Sequence, residues 1–275
     1  MADTPLRVMV IGAHPDDPDI CCGGSAIQWA ARGHVVKFLS VTNGDTGHHA
    51  IGGIELARRR YHEAQASARV AGIQEYQILD NHCGELEPTV ANRKVVIRLM
   101  REFAPDLVIT HRPNDYHPDH RYTSQLVQDA SYIITVPNMV SLTDILKAPP
   151  LICYVYDTFQ RPYPFHPDVV VGTDTVIEKK LDMLDCHVSQ MYEWLPFNRG
   201  VLDQVPSDPR ERRKWLPAQY MARFEEVAAA CRAGLIQAYG GKRGESMRTA
   251  EAYEFCEYGA RPTPELVRRA FPLFD

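Results

Sequence analysis

Apolar positions along this chain recur with two alternating periods. Short runs rich in β-branched residues at 6–11 (LRVMVI), 35–41 (VVKFLSV), 75–79 and 107–110 (LVIT) read as buried strands. Between them, residues 22–32, 54–71 and 90–103 carry helical spacing. The first two helices end at Gly33 and near Gly72, and the third stops before Pro105. A fourth helix is expected from Asp119 to about Ile134. Beyond residue 140 the pattern predicts strands at 151–157 and 169–171, a helix at 175–192, a Pro-, Arg- and Asp-rich loop at 198–214, a helix at 218–238 and a flexible joint at 240–244 (GGKRG).

Strands alternating with helices imply right-handed βαβ crossovers. The expected fold is therefore α/β and Rossmann-like, a mainly parallel sheet with helices on both faces and a C-terminal mixed α/β elaboration. Residues 1–192 are read as the core and 193–275 as a mostly helical extension of the same domain. In such sheets ligands bind beyond the carboxyl ends of the strands. The polar chemistry collects there: His14 after the first strand, TNGDTG (42–47) after the second, His82 and Cys83 after the third, and the segment 111–120 after the fourth.

The stretch GAHPDDPDICCGG (12–24) lacks the GxGxxG spacing, and Pro15 and Pro18 stand where backbone N–H groups would cradle a pyrophosphate. Both features argue against a dinucleotide site. His14 and Asp17 instead suit zinc, which takes imidazole nitrogen and carboxylate oxygen, while Asp16 between them is placed to accept a proton from an attacking water. HPDH (117–120) repeats the proline-stiffened pattern on the same rim. One of its histidines can complete a three-ligand shell, the other can donate to a developing oxyanion, and Asp119 can orient an imidazole.

AHPDD followed by a Gly-Gly pair, then TNGDTG, then HPDH, resembles the PIG-L/LmbE-like zinc de-N-acetylases, over roughly residues 7–190. The resemblance implies His14, Asp17 and His120 as metal ligands, Asp16 as general base, His117 as the group that stabilises the tetrahedral intermediate, and Asp119 as the partner of His117. It also implies substrate contacts from Arg60, in RYHE before Gly72, and from His187, in CHVSQ. Cys83 stands where relatives often carry an aspartate thought to hold sugar hydroxyls, and a thiol cannot replace that acceptor. Pro18 replaces an acidic residue common in the family. The implied reaction is hydrolysis of an N-acetyl group on an N-acetylglucosamine-type sugar or glycoconjugate, with Zn2+ or another divalent transition metal. Alternative readings are an amidase acting on a thiol S-conjugate and a metal-binding module without turnover.

Bulk properties narrow this further. A net charge of -5 offers no basic field for nucleic acid or an anionic membrane. No apolar run reaches the ~18 residues of a membrane span. Seven cysteines, an odd number without a CxxC pair, argue against a disulfide framework and a thiolate zinc site, so a cytoplasmic protein is expected. The family resemblance, rather than composition, also implies a homo-oligomer. Tyr154, Tyr156, Phe159, Tyr163 and Phe165, with Trp194 and Trp215, are candidates for core, a sugar-stacking wall or a subunit contact.

Overall fold

The computed structural model describes residues 4–272. Seven strands form one sheet: β1 (Arg7–Gly12), β2 (Val35–Thr42), β3 (Glu75–Asn81), β4 (Leu107–Thr110), β5 (Leu151–Val155), β6 (Val169–Gly172) and β7 (Ala250–Phe255). Their spatial order is β3-β2-β1-β4-β5-β7-β6. The first five strands pair in parallel, and β7 inserts antiparallel to both β5 and β6. Chain order runs outward in opposite directions from β1 and β4, so the crevice between their carboxyl ends is the topological switch point where such sheets bind ligands.

Both faces of the sheet are covered, as parallel strands require. In β1, Val8 and Val10 face one core with Trp29, Phe38 and Ala64, from α1 (Asp17–Ala31), β2 and α2 (Gly53–Ala71). Met9 and Ile11 face the other, with Ile97, Met100, Leu126 and Val127 from α3 (Val90–Phe103) and α4 (Pro118–Ile133). This alternation explains why β1 reads as a continuous apolar run. The cysteines are all unpaired, and no helix among the described residues is long and apolar enough to cross a membrane.

Three differences from the sequence expectation bear on the site. First, α1 begins at Asp17 rather than residue 22, because Pro18 in its first turn is preset for a helical φ and needs no N–H partner there. Second, the expected helix at 175–192 is α5 (Ile177–Asp185) followed, after a break, by a π-helical turn at Ser189–Trp194 and the short α6 (Leu195–Asn198). Third, the last residues of the expected loop, from Pro209 on, are already the start of the 22-residue α7 (Pro209–Ala230), with Asp208 accepting from the Arg210 N–H as its cap. Helices α8 (Arg232–Tyr239) and α9 (Gly241–Ser246) then lead into β7, a strand inside the sheet that the pattern did not reveal, and α10 (Pro264–Ala270) closes the described chain.

Candidate metal centre and active site

Two loops meet at the switch point. The first leaves β1 at Gly12, where a Cβ would lie 2.7 Å from the Pro18 ring and 2.9 Å from the Asp17 Cβ. Only a bare Cα lets the turn fold back so closely, bringing His14 and Asp17 to one side. The second follows β4 and ends where His117 caps α4. Together they place three ligand atoms in a triangle. His14 Nδ1 lies 3.2 Å from Asp17 Oδ2 and 3.2 Å from His120 Nε2, and His120 Nε2 lies 3.5 Å from Asp17 Oδ2.

That triangle tests whether an ion fits. Bonds of about 2.0–2.1 Å in a tetrahedral shell hold neighbouring ligand atoms about 3.3 Å apart. The observed edges match this spacing, so the residues present fit a divalent cation. The outer hydrogen bonds agree. His14 Nε2 contacts Asp119 Oδ2 at 3.1 Å, and His120 Nδ1 contacts Asp115 Oδ2 at 3.0 Å. A carboxylate on the far nitrogen of each imidazole fixes the tautomer that turns the near nitrogen's lone pair into the triangle.

The same groups set the charge state of the ion-free protein. Burial alone would lower the His14 imidazole, but the Asp17 charge and the hydrogen bonds to Asp119 and Asp17 outweigh it and hold it well above its usual value. Burial would raise Asp17, yet the surrounding His120, His14 and His111 charges keep it well below the carboxylate range. Asp115 and Asp119 are likewise lowered despite burial, Asp115 mainly by His120 and Asp119 by His14 and the Gly84 N–H.

Asp16 lines the same cavity. Its Oδ1 accepts from Arg60 Nη2 at 2.6 Å, and among the described residues nothing bonds its other oxygen. Arg60 itself is buried, at 2% exposed. It reaches the cavity wall, as expected of a substrate contact, but its guanidinium is committed to Asp16 and to the Gly44 carbonyl at 3.3 Å. The Gly44 of TNGDTG makes room for it. With φ +72°, a Cβ there would lie 2.5 Å from Arg60 Nη1.

Two expectations are corrected. Asp119 was expected beside His117, but its Oδ2 is 4.0 Å from His117 Nδ1 and bonds His14 instead, with Gly84 N–H donating to it at 2.6 Å. The reason is helix geometry: Asp119 lies inside the first turn of α4 and points into the core, while His117 is the cap. There His117 Nδ1 accepts the Asp119 N–H at 3.2 Å, which leaves the proton of the neutral ring on Nε2. Burial and the nearby His14 and His120 charges lower its pKa, favouring that neutral form. His187, expected to reach substrate, is fully buried and outside the cavity wall. Its Nε2 lies 3.2 Å from Asp19 Oδ1, without hydrogen-bond alignment. The π-helical turn that follows brings Gln190 and Trp194 to the cavity in its place.

Cys83 does line the cavity, and its thiol clusters with His14 and Asp119. Its backbone N–H donates to Asp45 Oδ1 at 3.0 Å and its carbonyl accepts from Thr46 at 2.9 Å, so TNGDTG holds the turn that presents Gly84 to Asp119. The aromatic candidates divide. Tyr156, Phe159 and Trp194 line the cavity; Tyr154 is buried against Gln128 and Cys256; Tyr163 and Phe165 flank Arg112; Trp215 packs on Tyr192.

Several contributors were not singled out from the sequence. Asp115, two residues before HPDH, orients His120, and a carboxylate that close to the motif was the available signal. His111 stacks on His120 with centroids 4.1 Å apart and accepts the Ala13 N–H, tying the two loops together. Gln190 closes the CHVSQ segment, which was its available signal, whereas nothing local marked the α7 residues, which reach the cavity only through packing. The whole cavity has a volume of about 770 Å3, in the range of small-molecule sites at ~300–1,000 Å3.

Residues 9–131 match the family described as PIG-L, GlcNAc-PI de-N-acetylase. Over 205 residues the chain is 30% identical to the diacetylchitobiose deacetylase of Thermococcus kodakarensis, covering 71% of this chain and 76% of that protein. The chain belongs to the PIG-L/LmbE-like deacetylase family. Among solved structures, the N,N'-diacetylchitobiose deacetylase of Pyrococcus horikoshii shares the fold with a TM-score of 0.67 and 23% identity over 94% of this chain and 88% of that one. A 4-carboxy-2-hydroxymuconate hydratase from Pseudomonas putida, GalB, aligns with a TM-score of 0.68 at 18% identity over 94% and 98% of the two chains. The fold thus carries more than one chemistry, and the reaction has to be argued from the site.

Proposed function

We propose that this member of the PIG-L/LmbE-like family hydrolyses the acetamide of an N-acetylglucosamine-type sugar or glycoconjugate, with Zn2+ held by His14, Asp17 and His120. The observation that carries the reading is the triangle of ligand atoms with edges of 3.2, 3.2 and 3.5 Å beside a cavity-lining carboxylate, Asp16, with one oxygen held by Arg60. A divalent cation there supplies Lewis acidity, polarising the acyl oxygen and lowering the pKa of a coordinated water.

The chain's own groups account for the rest. Asp16 accepts the proton of the attacking water as its oxygen bonds the acyl carbon. Arg60, bonded to Oδ1, holds that carboxylate so that Oδ2 faces the reacting water. As the carbonyl becomes an oxyanion, the Nε2–H of His117 is the donor available to it, because Nδ1 is occupied by the α4 backbone. When the C–N bond breaks, Asp16 returns its proton to the departing nitrogen, releasing acetate and a free amine. One carboxylate serves first as base and then as acid.

The test is a free-amine assay on metal-loaded protein over N-acetylated sugars, glycoconjugates and S-conjugate amides, with metal content measured in the same samples. Amine release from the sugar arm that disappears on chelation and returns with Zn2+ supports the reading. Release confined to S-conjugates, or full occupancy without turnover on any substrate, sinks it.

A further inference from the structure

The cavity has a second wall, opposite in origin from the metal loops. In α7 the buried stripe Leu216, Tyr220, Phe224 and Val227 packs into the fold, and the adjoining ridge Tyr220, Arg223, Glu226, spaced by three, lines the cavity. Arg199, at the end of α6, joins it.

The charges on this wall are not balanced internally. Elsewhere around the cavity the ionic groups are paired: Arg60 with Asp16 at 2.6 Å, Arg112 with Asp157 at 2.8 Å, and Asp115 with His120 at 3.0 Å. Among the described residues, neither Arg199 nor Arg223 has a carboxylate within ion-pair distance. Arg199 lies 5.2 Å over the Tyr220 ring, and Arg223 touches the Cys21 sulfur at 4.0 Å. The neighbouring Glu226 also makes no ion pair, which leaves two cationic heads against one carboxylate. Tyr220 adds a second, independent observation. The residue is 3% exposed, and among the described residues its hydroxyl proton has no acceptor. A buried donor left without an acceptor is costly, and burial pushes this hydroxyl up to about 12, so at neutral pH it keeps its proton to donate.

We propose that Arg199, Arg223 and the Tyr220 hydroxyl form an anion subsite that takes a carboxylate or phosphate carried on the aglycone side of the substrate. The inference rests on the deacetylase reading and names its substrate class: an N-acetylated sugar whose aglycone is negatively charged. A guanidinium fork matches both anions, and because both arginines lie exposed at the mouth, attraction at this wall is sensitive to salt.

The experiment compares three substrates on metal-loaded enzyme: the neutral methyl glycoside of N-acetylglucosamine, its glycoside with a hydroxy acid, and N-acetylglucosamine 1-phosphate. Amine release is measured at low and high NaCl. At least one anionic substrate should exceed the neutral one at least tenfold in kcat/KM, and the arm that does so identifies carboxylate or phosphate. That ratio should shrink at high salt. It should fall at least tenfold, through KM, in the Arg199→Gln/Arg223→Gln double variant, and several-fold in Tyr220→Phe. A ratio near one in the wild type, or one the double variant leaves unchanged, overturns the subsite. If no arm releases amine, the deacetylase reading has failed, and titration calorimetry with the two anionic compounds decides the subsite separately: equal affinity for wild type and double variant overturns it.

Discussion

Metal binding at this site should expel a proton from His14. In the ion-free protein that ring sits between two carboxylates, with Nδ1 3.2 Å from Asp17 Oδ2 and Nε2 3.1 Å from Asp119 Oδ2. Nδ1 also hydrogen-bonds His120 Nε2 at 3.2 Å, and the two flanking carboxylates are why the His14 pKa stands well above the usual value in spite of burial. A cation that binds Nδ1 must displace the Nδ1 proton. Below the folded pKa of His14, the apparent association constant should then rise about tenfold per pH unit, about 1.4 kcal/mol for each. Stability has the opposite sign without the ion. A raised folded pKa contributes stability that is fully present below the unfolded value of about 6.5 and is lost as pH rises through the folded value. The ion-free protein should lose this contribution above about pH 6.5, while the stabilisation added by Zn2+ grows over the same range. Calorimetric titration in two pH 7 buffers of different ionisation enthalpy gives the proton count, and chelator competition from pH 6 to 8 gives the slope. An observed enthalpy independent of buffer, with a flat affinity profile, would refute the placement of a proton on His14 and with it the role given to Asp119.

Other expectations follow from the same geometry. Asp119→Asn and Asp115→Asn each remove the carboxylate behind one ligating histidine and should weaken Zn2+ affinity about 10–100-fold, read by competition with a chromophoric chelator; unchanged affinity removes them from the metal's support. Asp16→Asn should keep the metal and lose turnover by about 10²-fold or more, and full activity there rules Asp16 out as the base. Arg60→Met leaves the buried Asp16 carboxylate unpaired, so urea unfolding should show a loss of roughly 3–5 kcal/mol and kinetics a lower kcat; a pure KM effect would return Arg60 to direct substrate binding. Gly44→Ala forces a positive φ on alanine and a Cβ 2.5 Å from the Arg60 guanidinium; a stability cost of about 1–3 kcal/mol is expected, and a neutral substitution would contradict the packing described.

What the sequence determined by itself was local in origin. The β-branched runs at β1, β2 and β4 and the helical spacing between them are short-range patterns, so the parallel sheet and its ligand-bearing rim were legible. So were His14, Asp16, Asp17 and HPDH, because proline-stiffened turns at strand ends hold their side chains close to one another along the chain. What only the tertiary structure decided is which groups meet across the chain. Asp119 looked like the neighbour of His117 in sequence, but it faces the core from inside α4 and bonds a histidine 105 residues away. His187 matched a motif, yet the break after α5 buries it against Asp19 and delivers Gln190 instead. The strand β7, short and interrupted by Glu251 and Glu254, carries no clear period because it is buried on both faces. Glu251 is neutralised by Lys180 at 2.7 Å and by the Gly24 and Ser25 N–H groups. Periodicity reports how one element divides between core and solvent. The partners that neutralise a buried charge, orient an imidazole or complete a cavity wall come from elements whose approach is set by packing, and no local pattern encodes that approach.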